Sequence, residues 1–142
     1  MSEDTCLFCR IVSGSLEAAI VHEGSNFLVF LDHRPLFHGH CLVIPKQHSE
    51  TLTDLPVEKV APFFEEVQFI SRVVENAMNA EGTFVAMNNR VSQSVPHLHV
   101  HVVPRKKKDG LKGFFWPRTK YVSCEEMEDV RQRLKDAIAI AE

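Results

Sequence analysis

The chain has 142 residues, of which 44% are apolar and 25% charged, and a formal net charge of −3. That length suits one domain with a real core, and the composition excludes a disordered or fibrous chain. A weakly negative protein lacks the broad positive field that draws in a nucleic-acid backbone, so none is expected as main partner. The one basic run, Arg105-Lys106-Lys107-Lys108, reads first as a solvated loop and second as a phosphate-attracting rim.

No apolar stretch approaches the roughly 20 residues that span a bilayer. The acidic start, Met1-Ser2-Glu3-Asp4, lacks the layout of a signal peptide, so a cytoplasmic protein with no membrane partner is expected. A tight N-terminal unit over residues 1–15 carries Cys6-Leu7-Phe8-Cys9 and ends near Ser13-Gly14. Its cysteines are spaced like metal ligands and unlike a secreted disulfide framework. Strands are expected over Ala19–Glu23 and Phe27–Asp32, joined by the turn Gly24-Ser25-Asn26. Residues 33–39 read as a loop and His40–Pro45 as a third strand.

A helix occupies most of Pro56–Asn79, because Val60, Phe63, Phe64, Val67, Ile70, Val73, Val74, Ala77 and Met78 recur at helical spacing and build one broad apolar stripe. Pro62 lacks the N–H that a helix interior uses, which predicts a short first segment and a main helix starting at Pro62. Two more strands follow, Thr83–Asn88 and Pro96–Val103. The segment Gly110–Tyr121, with Phe114-Phe115-Trp116-Pro117, is too aromatic for a plain loop and suits a cover for the core or for a partner subunit. Ser123, with Glu126 three residues on, forms a capping-box pattern that opens a C-terminal helix over about 124–141. Met127, Val130, Leu134 and Ile138 form its apolar face. Cys41 and Cys124 read as buried small apolar residues, and His22 and His38 as surface positions. This order defines an α+β chain in one domain, 1–142: a five-stranded antiparallel sheet with a main helix and a C-terminal helix.

The run Pro96-His97-Leu98-His99-Val100-His101-Val102-Val103 carries the chemistry. Alternate strand residues share a face, which lines up His97, His99 and His101 about 7 Å apart. Three buried imidazoles are costly unless each finds partners, which leaves a metal site or a catalytic row. Neutral imidazole is a competent nucleophile near pH 7, and the phosphoramidate it forms with phosphorus is itself hydrolysable. The middle residue, His99, is the natural nucleophile. Gln93 and Ser94 stand where they can donate to phosphate oxygens or to a leaving group, although alone they read as turn residues.

The run from Gln93-Ser94 to Val103 resembles the signature of the histidine triad (HIT) proteins. Phe30-Leu31-Asp32 and Gly39-His40-Cys41-Leu42-Val43-Ile44-Pro45-Lys46-Gln47-His48 resemble the family's preceding block in order and spacing, so the similarity extends over roughly Cys6–Arg105. The resemblance implies a HIT fold and a nucleotide substrate. It implies that His99 takes up a nucleoside monophosphate, that His101 contacts the phosphate and that His40 supports them. It further implies that Asp32 holds the ribose hydroxyls and that Asn88 and Ser94 contact the phosphate and leaving-group side. Phe30 and His33 would help form the base slot, with a core aromatic as the other reading of Phe30. Ser92 departs from the pattern, standing where family members usually carry glycine, and the segment 88–92 is shorter than usual.

In a subset of the family, cysteines at the positions of Cys6 and Cys9 bind a structural zinc together with the equivalents of His48 and His97. The resemblance also implies a twofold homodimer. The leading functional reading is an enzyme that releases a nucleoside monophosphate, AMP above all, from phosphoramidates or related nucleotides. The alternatives are a dinucleoside polyphosphate hydrolase, a nucleotide-binding regulator, and a zinc module that uses all three triad histidines as ligands.

Overall fold

The computed structural model describes residues 3–112 and 118–141. Phe114-Phe115-Trp116-Pro117 lie outside the described residues. Residues 1–109 and 110–142 form two compact units.

The first unit is built on one sheet whose strands are β1 (Ile20–Glu23), β2 (Phe27–Leu31), β3 (Cys41–Pro45), β4 (Gly82–Ala86) and β5 (Val100–Arg105). They lie in the order β1-β2-β3-β5-β4, every neighbouring pair antiparallel, as expected for an α+β chain. All five residues of β3 are buried, because both faces of the sheet are covered. On one face Phe27, Val29, Val43, Val100 and Val102 pack against Phe63, Val67, Ile70 and Val74 of the long helix α2 (Val57–Ala77). Cys41 belongs to this layer and is buried, as expected. On the other face Leu28, Phe30, Leu42 and Ile44 join Cys6 and Phe8, the latter from the short helix α1 (Leu7–Val12). A slip of one residue in any strand would exchange the two layers, so the register is firmly specified.

Three expectations change. The long helix runs unbroken through Pro62. That proline sits in the second turn, where the lost hydrogen bond would have gone to the carbonyl of the exposed Glu58, which water can satisfy. The last strand begins at Val100 and not at Pro96. Just before it, the Leu98 N–H donates to the Ser49 carbonyl at 2.7 Å and the His97 N–H to the Val95 carbonyl at 2.8 Å, which draws residues 97–99 away from the sheet ladder. Only His101 of the triad therefore lies in a strand. The helix α1 and a 3-10 turn at Leu52–Asp54 were too short to leave a periodic signal.

In the second unit, α3 (Cys124–Ala141) starts as its capping pattern predicts, with the Glu126 N–H donating to Ser123 Oγ at 3.0 Å. Cys124 is exposed, which corrects its reading as a buried residue; it stands at the first position of the helix, outside the apolar face. Met127, Leu134 and Ile138 are exposed as well. No helix among the described residues is long and apolar enough to cross a membrane.

Gly39, which leads into the buried His40, has φ +95°, and a Cβ there would stand 2.6 Å from Met78 Cγ. Gly39→Ala should cost about 1–3 kcal/mol, read as a lowered urea midpoint with unchanged cooperativity. An unshifted midpoint would show that the turn relaxes freely.

Candidate functional site

Cross-strand pairing sets up the site. Phe30 pairs with Leu42, and Leu42 with His101, so these three side chains form a row on the α1 face of the sheet. In front of the row lies a cleft of about 520 Å³ whose lining includes Phe8, Phe30, Asp32, Ser94, His99 and His101. The volume lies within the range of small-molecule sites. Asp32 follows the end of β2, and its N–H donates to the His40 carbonyl at 2.9 Å, which ties the ends of the 33–39 loop together. The loop thereby brings the Asp32 carboxylate within 3.6 Å of His40 Nε2.

Hydrogen bonds fix which nitrogen of each ring carries the proton. A backbone carbonyl can only accept, and His99 Nδ1 lies 2.7 Å from the His97 carbonyl. His99 therefore bears its hydrogen on Nδ1 and keeps the lone pair on Nε2. His40 Nδ1 accepts from the Leu36 N–H at 3.1 Å, so Nε2 carries the hydrogen and donates to His101 Nδ1 at 2.9 Å. His101 in turn keeps its hydrogen on Nε2. The result is a directional chain, Leu36 to His40 to His101, that ends in an N–H donor beside a ring with a free lone pair. The His99 and His101 ring centroids are 5.1 Å apart.

Burial keeps these rings neutral. It pushes His101 down to about 4, helped by neighbouring His99 and His40, and it lowers His40 and His99 against the opposing pull of Asp32. His99 lines the cleft with only 4% of its surface exposed. Neutrality is what nucleophilic work requires of it.

A second cluster stands beside the first. Ligand atoms of Cys6, Cys9, His48 and His97 all lie within 4.8 Å of one another. His97 Nδ1 is 3.4 Å from Cys6 Sγ, 3.5 Å from Cys9 Sγ and 3.2 Å from His48 Nδ1. Tetrahedral zinc, with bonds of about 2.0–2.3 Å, sets its ligand atoms roughly 3.3–3.8 Å apart, so the spacing fits. The chemistry fits too. His97 Nε2 donates to the Pro45 carbonyl at 2.8 Å, which leaves the Nδ1 lone pair facing the thiols. His48 turns its Nδ1 toward the same thiols, 3.2 Å from Cys9 Sγ. Burial and the adjacent Cys6 push the Cys9 thiol up to about 12, so paired thiolates need a cation between them. These four residues could hold a metal ion.

Asp32, His40 and His101 also converge within 4.8 Å, but the Leu36 N–H already occupies His40 Nδ1 and leaves the hydrogen on Nε2. That ring has no lone pair to offer a cation.

The remaining predicted residues are less central. Ser94 and His33 line the cleft. Phe30 is both a core aromatic and part of the cleft wall. Asn88 is exposed, and its side chain donates to the Ser92 carbonyl at 3.1 Å. Gln93 works as a clamp: it donates to the Glu50 carbonyl at 2.6 Å and accepts from the Arg90 N–H at 2.8 Å. Ser92 has φ +60°, so the chain keeps at this place a backbone conformation that glycine adopts more easily. His22 and His38 are exposed, as expected. Sequence reasoning missed Leu36, whose contribution is a backbone N–H, and Phe8, whose ring meets His99 at a centroid distance of 5.2 Å.

A five-stranded antiparallel sheet that presents paired histidines to a nucleotide-sized cleft defines the class of protein. The model of the HIT domain matches residues 13–108, and the chain belongs to that family. Adenylylsulfatase HINT3 of Arabidopsis thaliana is 35% identical over 77% of this chain and 56% of its own length. Adenosine 5'-monophosphoramidase hnt1 of Schizosaccharomyces pombe is 32% identical over 94% of this chain and 98% of its own. A Zn-bound histidine triad family protein from Mycobacterium smegmatis, known by its crystal structure, is 39% identical with a TM-score of 0.73, covering 99% of this chain and 100% of that one. The family match starts after Cys6 and Cys9, so the thiol half of the cluster lies ahead of it.

Because His40 and His101 are held below the ordinary histidine value, the unfolded chain takes up protons before the folded one as pH falls. The stability they support is complete above the unfolded value of 6.5 and is lost as pH drops toward about 4. His101→Asn should flatten that part of a plot of unfolding free energy against pH. An unchanged slope would mean that the ring is charged in the folded state.

Proposed function

We propose that the chain is a nucleotide hydrolase that works at the α-phosphate through a covalent nucleotidyl-His99 intermediate and releases AMP from adenosine phosphoramidates. One observation carries this reading: the His97 carbonyl fixes the hydrogen of His99 on Nδ1, which frees Nε2 in a ring that lines the cleft. Nε2 attacks phosphorus, its bond to phosphorus forms, and the bond to the leaving amine breaks as that amine takes a proton from solvent. Water then attacks the same phosphorus and gives a proton to solvent as the bond from phosphorus to Nε2 breaks, which releases the nucleoside monophosphate and returns the lone pair to Nε2. The His101 Nε2–H donates to the phosphate oxygens as charge builds there, and His40 holds His101 in the required tautomer. Asp32 accepts from the ribose hydroxyls, Phe30 and His33 border the base, and Ser94 serves the leaving-group side. Gln93 and Asn88 are assigned to the support of the phosphate loop, given the bonds their side chains already make.

The Cys6, Cys9, His48 and His97 cluster is assigned a structural zinc. Four protein ligands close the shell, which leaves no position for a catalytic water. This grouping excludes His99 and His101 and so disfavours a module in which the whole triad binds metal. We assign a twofold homodimer on the family resemblance, supported by β4, an outer strand of the sheet on which Val85 is exposed. The four free thiols fit a reducing compartment, and we assign the cytoplasm.

Adenosine phosphoramidate, diadenosine polyphosphates and ADP, offered separately, identify the substrate class by AMP release. His99→Ala should reduce turnover roughly a thousandfold or more, and the wild type alone should show an adduct of AMP mass. Equal turnover by wild type and variant would reject the nucleophile. Metal analysis should find one zinc per chain in wild type and in His99→Ala, and none in the double variant Cys6→Ser, Cys9→Ser. Loss of zinc from His99→Ala would transfer the ion to the triad.

A further inference from the structure

The metal cluster and the nucleophile share a neighbour. Phe8 stands between the two cysteines in α1, and its ring packs edge-to-face on three others. The centroid distances are 5.2 Å to His99 at an interplanar angle of 86°, 5.8 Å to His97 at 72° and 5.3 Å to Phe30 at 68°. The residue is 8% exposed.

Six residues make a helix too short to hold itself together, and α1 has no side-chain cap at its N-terminus. Ile11 and Val12 pack it on the apolar layer of the sheet, and its remaining ties lie within one turn. The Cys6 and Cys9 thiols approach His97 and His48, and the Phe8 ring wedges against His99 and Phe30. The two kinds of tie alternate along one turn, so fixing the thiols fixes the ring between them.

His99 needs such a restraint. Histidine turns easily about its outer torsion, and a half-turn exchanges Nδ1 with Cδ2 and Nε2 with Cε1. The flipped ring would set Cδ2 against the His97 carbonyl and aim Cε1–H, not the Nε2 lone pair, at the place where Nε2 stood. A hydrogen bond of 2.7 Å to the His97 carbonyl opposes that flip, and the rings of Phe8 and His101 pack against His99 at 5.2 and 5.1 Å.

We infer that Phe8 is a positioning residue for His99, held in place by the cluster at Cys6 and Cys9, so that loading of the cluster is felt at the nucleophile; this rests on the zinc and nucleophile readings above. The cluster then reaches His99 by two arms. One is Phe8. The other is His97, which offers Nδ1 to the cluster and its carbonyl to His99.

The experiment follows the imidazole ¹⁵N and ¹H signals of His99 in the full chain, zinc-loaded and after chelation, in wild type, Phe8→Leu and Phe8→Ala. Zinc-loaded wild type should show one sharp tautomer with the hydrogen on Nδ1. Phe8→Ala should retain one zinc per chain and show a broadened mixture of tautomers. Its kcat should fall about tenfold to a hundredfold while KM moves less than about threefold, since geometry and not affinity is lost. Phe8→Leu keeps apolar bulk and should lie between, and it carries the test if Phe8→Ala fails to fold. Chelation should disturb His99 in wild type and add a smaller disturbance in Phe8→Ala, the share carried by His97.

Three results overturn the inference: His99 signals unmoved by either Phe8 variant, wild-type signals unmoved by chelation, or an equal response to chelation in wild type and in Phe8→Ala. Failure of the underlying readings is seen separately, as a wild type without zinc or an active His99→Ala, and each of those overturns it too.

Discussion

The imidazole of His97 joins the two halves of the site. It is fully buried, and each of its polar groups has a separate task. Nε2–H is given to the Pro45 carbonyl, Nδ1 faces the thiols and His48, and the backbone carbonyl takes the hydrogen of His99. Burial pushes its proton affinity down to about 4, so the ring stays neutral and its lone pair stays available. A buried polar ring is costly unless its hydrogen-bonding capacity is used, and here that capacity is used to aim a second ring.

The sheet makes this arrangement affordable. One face is sealed against α2 by a fully apolar layer, which supplies the bulk of the hydrophobic stabilisation. The opposite face can then give up the row from Phe30 through Leu42 to His101 to chemistry. Strand alternation keeps the two tasks from interfering, because a residue that faces α2 cannot also face the cleft.

Much of this was legible in the sequence, for identifiable reasons. The spacing of His97, His99 and His101 and the run from His40 to Pro45 carry strong local patterns, and the sheet and both long helices followed from periodicity. The partnership of Cys6 with His97 spans 91 positions, which no local pattern encodes; resemblance alone suggested it. Phe8 was hidden for a similar reason, since its importance lies in what it touches. Pro62 misled because a rule for helix interiors was applied near a solvated first turn. Gln93 resembled a ligand-facing donor, but its amide is engaged by Glu50 and Arg90, and only the folded loop reveals that.

The bonds that join the 49–52 stretch to the 89–98 stretch have a consequence for how an ion would come and go. Leu98 to Ser49, Gln93 to Glu50 and Leu52 to Asn89 form three staples, and His48 and His97 sit at their margins. The imidazole side of the cluster is thus anchored in the main framework, while the sulfur side rides on a six-residue helix. Cys9 also borders an open depression on the surface, which brings solvent to the sulfur side. An ion held there would leave in a set direction, the sulfurs letting go first while the nitrogens keep the place.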